Sequence, residues 1–163
     1  MIKIKNRDNS PYENGLRAMR EIVQRKMSMD LFEENTLLDD LINVSGGVIR
    51  DLFRLINEAA DSALDMDKEK IEREHIEMAK NSLKKEYENN IADYRYEGKD
   101  FTTQNYYDAL INLANSETKK LDNTEAELHL RQNLSILGYN GHGWYDIHPV
   151  IRLILEERKK IKT

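Results

Sequence analysis

Helical spacing of apolar residues dominates this sequence and restricts its fold more than any other feature. In the first half, four segments repeat apolar side chains every three or four residues, which places them on one face of a helix. Only two prolines and seven glycines occur in 163 residues, and this favours long helices over many short strands. Because such helices must bury their apolar faces against one another, the pattern predicts a mainly α protein that begins with a four-helix bundle.

Capping residues predict where these helices begin. Ser10-Pro11-Tyr12-Glu13 has the pattern of a capping box with proline at the first helical position, and it predicts a helix over residues 11–27. Ser28 or Asp30 is expected to cap the second helix, and Ser45 the third.

The ends of this bundle are predicted from two further segments. A long fourth helix follows Asp67 and serves as a connector, and residues 1–5 alternate like a strand that has no visible partner in this chain. The apolar face of the fourth helix is predicted to contain Ile71, Ile76, Ala79, Leu83, Tyr87, Ile91 and Tyr94.

The second half of the chain changes its pattern. The polar turn Glu97-Gly98-Lys99-Asp100 predicts a boundary between a helical bundle in residues 1–97 and a second domain in residues 98–163. Two helices then precede a predicted β-hairpin, whose turn contains Asn140-Gly141, a dipeptide that tolerates positive φ. Pro149 begins a closing helix. This order, in which helices are followed by one hairpin and then by a closing helix, predicts a winged-helix-like module with the hairpin as its wing.

Composition excludes several classes of protein. The absence of cysteine excludes a disulfide framework and a thiolate metal site. No apolar run has the length of a membrane span, and the first residues lack the apolar core of a signal peptide, so we expect a cytoplasmic protein without a membrane partner. The net charge of −5 argues against a general nucleic-acid binder.

One run carries the clearest candidate for a binding residue. Ser45-Gly46-Gly47-Val48-Ile49-Arg50-Asp51-Leu52 begins the most apolar helix and presents Arg50 in its first turn. The two glycines leave room for a group to approach the backbone, and a rigidly held arginine is suited to a phosphate or carboxylate. From the spacing alone, pairing of Arg50 with Asp51 or Glu58, or exposure to water, is the simpler interpretation. Arg54 is a second candidate.

Two motifs resemble those of a known family. The run from Ser45 to Leu52 resembles the Ser-Gly-Gly-x-x-Arg-Asp-Leu signature in the helical lid of AAA+ and related STAND-type P-loop ATPases. Gly-Tyr-Asn-Gly-His-Gly-Trp-Tyr-Asp-Ile-His-Pro, residues 138–149, resembles a C-terminal segment of some of these ATPases, in which Trp-Tyr-Asp-x-His-Pro follows the wing turn. The motifs occur in the family's order, while residues 84–123 match only in predicted helicity.

The resemblance implies a C-terminal regulatory fragment. Arg50 would sense the γ-phosphate of ATP, supported by the loop residues Ser45, Gly46 and Gly47, and would relay the nucleotide state to the winged-helix-like module. The nucleotide-binding core would be the partner, and ATP and Mg would be bound only with that core, which this chain lacks. No Walker A, GxSxG, GxGxxG or CxxC motif occurs, so we expect no enzyme activity from the chain on its own.

Two alternatives remain open from the residues. The chain is a DNA-binding winged-helix protein, or it is an interaction scaffold with no nucleotide role. In either case the wing supplies the candidate contacts, for a protein partner or for DNA. These candidates are Asn140, Gly141, His142, Trp144 and Tyr145.

The histidines near the wing raise the question of a metal site. His142, Asp146 and His148 lie close in sequence, but no further ligand occurs at a characteristic spacing to complete a site, so no metal site is predicted. His148 precedes proline and is expected to form a local hydrogen bond where the last helix begins.

Overall fold

The computed structural model of the protein describes residues 1–96, 99–139, 141 and 143–161. Within these ranges the fold is mainly α, with seven α-helices and two separate two-stranded antiparallel sheets. The chain forms two compact units, Met1–Leu83 and Lys84–Thr163. The boundary predicted at Glu97 and Gly98 lies outside the described residues.

Three complete helices and the start of a fourth build the first unit. They are α1 (Glu13–Gln24), α2 (Thr36–Val44), α3 (Ile49–Asp65) and α4 (Arg73–Asn89), with a short 3₁₀ helix at Met29–Leu31. Each of these helices buries one apolar face, although Leu31 and Leu64, apolar positions of the predicted second and third helices, are exposed. The buried side chains include Leu16, Met19, Val23, Leu37, Leu38, Leu41, Ile42, Leu52, Leu55, Ile56, Ala59, Ile76 and Ala79.

The predicted capping box before α1 is wrong. The helix begins at Glu13, and its N-cap residue Tyr12 makes no side-chain cap hydrogen bond. The Ser10 hydroxyl instead donates to Asp8 at 2.6 Å, and Pro11 pairs with Lys5 in an isolated antiparallel bridge. The serine and proline therefore belong to a turn that precedes the helix. Ser28 does accept the amide of Asp30, but it caps the 3₁₀ helix and not α2.

The expectation that residues 1–5 have no partner in this chain is also wrong. The Ile2 amide donates to the Gly47 carbonyl at 2.8 Å, and the Tyr12 amide donates to the Ile4 carbonyl at 2.9 Å. Ile4 is buried. The segment is thus hydrogen-bonded both to the start of α1 and to the loop between α2 and α3.

The second unit contains the rest of α4, three helices and both hairpins. Its elements are β1 (Tyr94–Tyr96), β2 (Lys99–Phe101), α5 (Thr103–Asn115), α6 (Glu125–Gln132), β3 (Ile136–Tyr139), β4 (Trp144–Ile147) and α7 (Pro149–Glu157). Thr102 and Thr124 cap α5 and α6 in complete capping boxes. α5, α6 and α7 confirm the helices that the sequence predicts there.

The first hairpin was not predicted. Tyr94 was expected to continue the apolar face of the fourth helix, but α4 ends at Asn89 and Tyr94 pairs with Phe101 across the β1–β2 hairpin. Ile91, which lies between α4 and β1 in the sequence, is buried. The aromatic residues of this segment favour a strand, and an apolar period of three to four residues does not distinguish the two structures over one turn.

The predicted second hairpin is confirmed. β3 and β4 are antiparallel, with Ile136 opposite Ile147 and Tyr139 opposite Trp144. The Tyr145 amide donates to the Lys119 carbonyl at 2.8 Å, so a segment between α5 and α6 lies beside β4.

None of the helices within the described ranges is long and apolar enough to cross a membrane.

Two leucines on α3 test the burial of its apolar face. Leu55 is fully buried and Leu64 is 71% exposed. We expect Leu55→Ala to lower the free energy of unfolding by about 2–5 kcal/mol, because it removes buried methyl groups and leaves a cavity. Leu64→Ala, the matched control, should change it by less than about 0.5 kcal/mol. Urea unfolding followed by circular dichroism measures both, and equal losses would contradict the assigned face.

Candidate functional site

The turn between α2 and α3 is fixed by Ser45. This residue is buried, its hydroxyl donates to the Ile42 carbonyl at 2.7 Å, and it accepts the Gly47 amide at 3.2 Å. Ser45 was predicted to be the N-cap of α3, which is wrong: it is the C-cap residue of α2, and Val48 is the N-cap of α3. Its hydrogen bonds stabilise the turn that precedes Arg50.

Gly46 and Gly47 both have positive φ, 62° and 82°, in the region that glycine adopts without strain. The close approach that the sequence anticipated occurs at Gly47. A Cβ at this position would overlap the carbonyl oxygen of Ile2. The group that occupies the space at Gly47 is therefore the N-terminal segment of the same chain.

Arg50 lies in the first turn of α3 with 67% of its side chain exposed. Its Nε donates to Oδ1 of Asp51 at 3.2 Å, and Asp51 is fully buried. The pairing with Asp51 is one of the structural interpretations that the spacing allowed. It holds the stem of the arginine against the protein while the side chain as a whole faces solvent.

Arg50 borders a shallow surface depression along α3 with a volume of about 440 Å³. The depression is also lined by Phe53, Arg54, Asn57, Glu58 and Asp61. The two arginines lie toward the N-terminal end of α3, and the two carboxylates lie toward its C-terminal end. Positive side chains therefore lie at the end of the depression where the helix dipole also favours a negative group.

The candidate residues of the wing differ in accessibility. Asn140 and His142 lie outside the described residues, and Gly141 is exposed with a φ of 61°. Trp144 is only 5% exposed and stacks on Tyr139 with ring centroids 4.1 Å apart. Tyr145 is half-buried, and the Arg131 guanidinium lies 5.1 Å from its ring centre. Tyr145 thus presents the more accessible aromatic ring.

A buried ionic cluster behind the wing was missed by sequence reasoning. Asp146 is fully buried and accepts hydrogen bonds from Lys119 Nζ at 3.2 Å and from Arg152 Nη2 at 3.1 Å. Lys119 Nζ also donates to the carbonyls of Leu113 and Ala114 at 3.2 and 2.9 Å, near the C-terminal end of α5. One carboxylate therefore joins the segment after α5 to β4 and α7.

The sequence did hold a signal for this cluster. Trp144 and Asp146 are two residues apart on β4, so they share one face of the hairpin, and a buried tryptophan there predicts a buried carboxylate that requires cationic partners. The partners themselves are distant in sequence. Lys119 adopts a positive φ of 52°, and no sequence pattern marks that conformation.

Two further buried groups lie at the ends of β3 and β4. The Tyr139 hydroxyl is buried and has no hydrogen-bond partner among the described residues. Burial raises the pKa of Tyr139, the charge of Asp146 raises it further, and Arg152 acts in the opposite direction. His148 accepts the Val150 amide at 3.2 Å and caps α7, which confirms the local hydrogen bond predicted for it.

In the part of the chain that the structure describes, no group of three or more histidine, aspartate or glutamate side chains is arranged to hold a metal ion.

Comparison with known proteins identifies no relative: no family model, no curated protein and no solved structure matches this chain.

The ionic cluster is expected to make Asp146 important for the stability of the second unit. Asp146→Asn leaves two cations facing a neutral group, and since Arg152 is 30% exposed we expect a loss of about 2 kcal/mol, less than for a fully buried pair. Asp108→Asn is the control, because Asp108 is exposed and its carboxylate accepts a hydrogen bond from the nearby, also exposed Gln104 amide. Urea unfolding followed by Trp144 fluorescence measures both variants. Equal stability of the two would contradict the role given to Asp146.

Proposed function

We propose that this chain is the C-terminal regulatory part of a P-loop ATPase of the AAA+ or STAND type. The first unit acts as a helical lid, and Arg50 senses the γ-phosphate of ATP held by a nucleotide-binding core outside this chain. The observation that carries the proposal is the exposed arginine in the first turn of α3, three positions after Gly47 of the glycine turn.

The position of Arg50 suits it to a phosphate. The buried face of α3 fixes the helix in the first unit, and the bond to Asp51 fixes one edge of the guanidinium. Because the side chain is two-thirds exposed, a ligand can reach it from solvent. A guanidinium binds two phosphate oxygens at once, which distinguishes it from the point charge of a lysine.

The energy of such a contact is sufficient for a switch. A hydrogen bond to a charged group contributes about 1.5–3 kcal/mol, and a ligand shifts an equilibrium by the difference in its affinity for the two states. The lid is then held closed by Arg50 while the γ-phosphate is present and is released after hydrolysis. ATP and Mg are bound by the core, and we expect this chain alone to hydrolyse no ATP.

The second unit fits the role of a winged-helix-like module. α5 and α6 precede the β3–β4 hairpin, and α7 closes the unit. The bond from Tyr145 to Lys119 adds a third segment beside β4, which supports this arrangement over an isolated hairpin. α4 begins in the first unit and ends in the second, so it is the expected connector.

The DNA-binding alternative is disfavoured by the charges near α6. A groove of about 490 Å³ in the second unit is lined by five carboxylates. These belong to Asp100, Asp108, Asp122, Glu125 and Glu127. Carboxylates at the N-terminal end of a recognition helix repel the phosphate backbone. The same groove contains Phe101, Ala109 and Ala126, a combination that favours a protein-interaction scaffold as the second candidate.

Arg50→Ala tests the proposed function in the full-length native protein. We expect the rate of ATP hydrolysis to fall by about tenfold or more, since the variant loses a charge-assisted contact of about 1.5–3 kcal/mol. Arg50→Lys should restore only part of the rate because lysine lacks the bidentate fork. Arg25→Ala, an exposed arginine after α1, is the control and should leave the rate unchanged. The absence of Walker motifs upstream in the native gene would overturn the proposal.

Duplex DNA tests the alternative. We expect no binding of the purified chain to a mixed-sequence duplex at low salt, because the groove beside α6 is acidic. Fluorescence anisotropy of a labelled duplex measures this. Binding that weakens linearly with the logarithm of the salt concentration would support the DNA-binding class instead.

A further inference from the structure

The N-terminal segment contacts the turn that carries Arg50, and this suggests a role for the segment beyond packing. We infer that residues 2–4 are a positioning element for Arg50, so that displacement of the segment loosens the first turn of α3. The role of Arg50 as a sensor rests on the proposed function, whereas the mechanical coupling rests on contacts within the first unit.

The first contact is made at Gly47. The Ile2 amide donates to the Gly47 carbonyl at 2.8 Å, and the Ile2 carbonyl lies where a Cβ of Gly47 would be. Both backbone polar groups of Ile2, its amide and its carbonyl, therefore contact the turn at Gly47. Glycine is required at position 47 because the backbone has a positive φ there and because the Ile2 carbonyl leaves no room for a Cβ.

The second contact is made at Gly15 on α1. A Cβ on Gly15 would overlap the carbonyl oxygen of Lys3, and Gly15 is buried. The Lys3 ammonium lies 4.3 Å from the ring centre of Tyr12, and the Tyr12 amide donates to the Ile4 carbonyl. The first turn of α1 and the residue before it thus fix the segment at Lys3 and Ile4. Consequently the segment cannot shift along α1 without breaking these contacts.

Successive hydrogen bonds continue from the turn into α3. The Gly47 amide donates to the Ser45 hydroxyl at 3.2 Å, and the Val48 amide donates to the Ser45 carbonyl at 3.0 Å. The Leu52 amide then donates to the Val48 carbonyl at 3.0 Å, which closes the first turn of the helix around Arg50. Arg50 lies two positions after Val48, with only Ile49 between them. Loss of the hydrogen bond from the Ile2 amide to the Gly47 carbonyl therefore removes the contact by which the N-terminal segment supports these hydrogen bonds.

The coupling gives the segment a regulatory use in the proposed ATPase. A displacement of Ile2 acts directly on the Gly47 carbonyl, and through the turn on the start of α3. Movement of the segment would thereby alter the placement of Arg50.

Amide hydrogen exchange of the 163-residue chain tests the inference without nucleotide. Ile2→Pro removes the donor to Gly47, and Gly15→Ala displaces Lys3 from α1. We expect protection of the Val48 and Leu52 amides to fall by about two- to tenfold, the effect of one backbone hydrogen bond. The amide of Ala59, in the middle of α3, reports on general destabilisation and should change less.

Two controls keep the outcome decisive. Ile2→Val retains the donor, and Arg17→Ala alters only an exposed position of α1, so both should leave protection at Val48 and Leu52 unchanged. If Gly15→Ala does not fold, Ile2→Pro alone decides. The inference is overturned if protection at Val48 and Leu52 falls no more than at Ala59. Failure of the Arg50→Ala experiment would remove the sensor role and leave this coupling intact, so the two failures are distinguishable.

Discussion

The close approach of the N-terminal segment to two glycines is the constraint on which the first unit depends. Gly15 and Gly47 have no side chain because the carbonyls of Lys3 and Ile2 occupy the positions of the missing Cβ atoms. The segment is thereby held between α1 and the turn after α2, and it buries Ile4. The packing of α1, the shape of the turn and the start of α3 are all determined in part by five residues that form no regular strand of their own.

In the second unit a buried charged group joins segments that are distant in sequence. Its hairpin must be held to elements that are distant in sequence, and the buried carboxylate of Asp146 does this through Lys119 and Arg152. A buried ion pair contributes little net stability compared with an apolar replacement, but its geometry is specific. Lys119 has carbonyl acceptors at the end of α5 as well, so its charge is satisfied on two sides.

Periodicity and turn residues predicted the mainly α fold, the seven α-helices and the β3–β4 hairpin, because each has an apolar pattern or turn residues of its own. It did not predict the β1–β2 hairpin, whose three-residue strands are too short to show an alternation. It placed Ser10 and Ser45 as helix caps because a serine before an apolar run has the same local pattern in a turn. Ser45 lies in such a turn, where it accepts the Gly47 amide. Gly47 in turn contacts Ile2, which lies more than forty positions earlier in the chain. The candidate site was identified at Arg50 from its local motif, while the Asp146 cluster needed long-range contacts that no local pattern contains.

The attachment of Lys119 to β4 has a consequence for the segment between α5 and α6. Lys119 is held at its backbone by Tyr145 and at its ammonium by Asp146. This fixed point divides the segment into one short loop between α5 and Lys119 and another between Lys119 and α6. A change of length on one side of Lys119 is absorbed between that residue and the neighbouring helix. We therefore expect an insertion at residues 121–123 to disturb the start of α6, where the Asp122 amide donates to Glu127, and to leave the register of the hairpin unchanged.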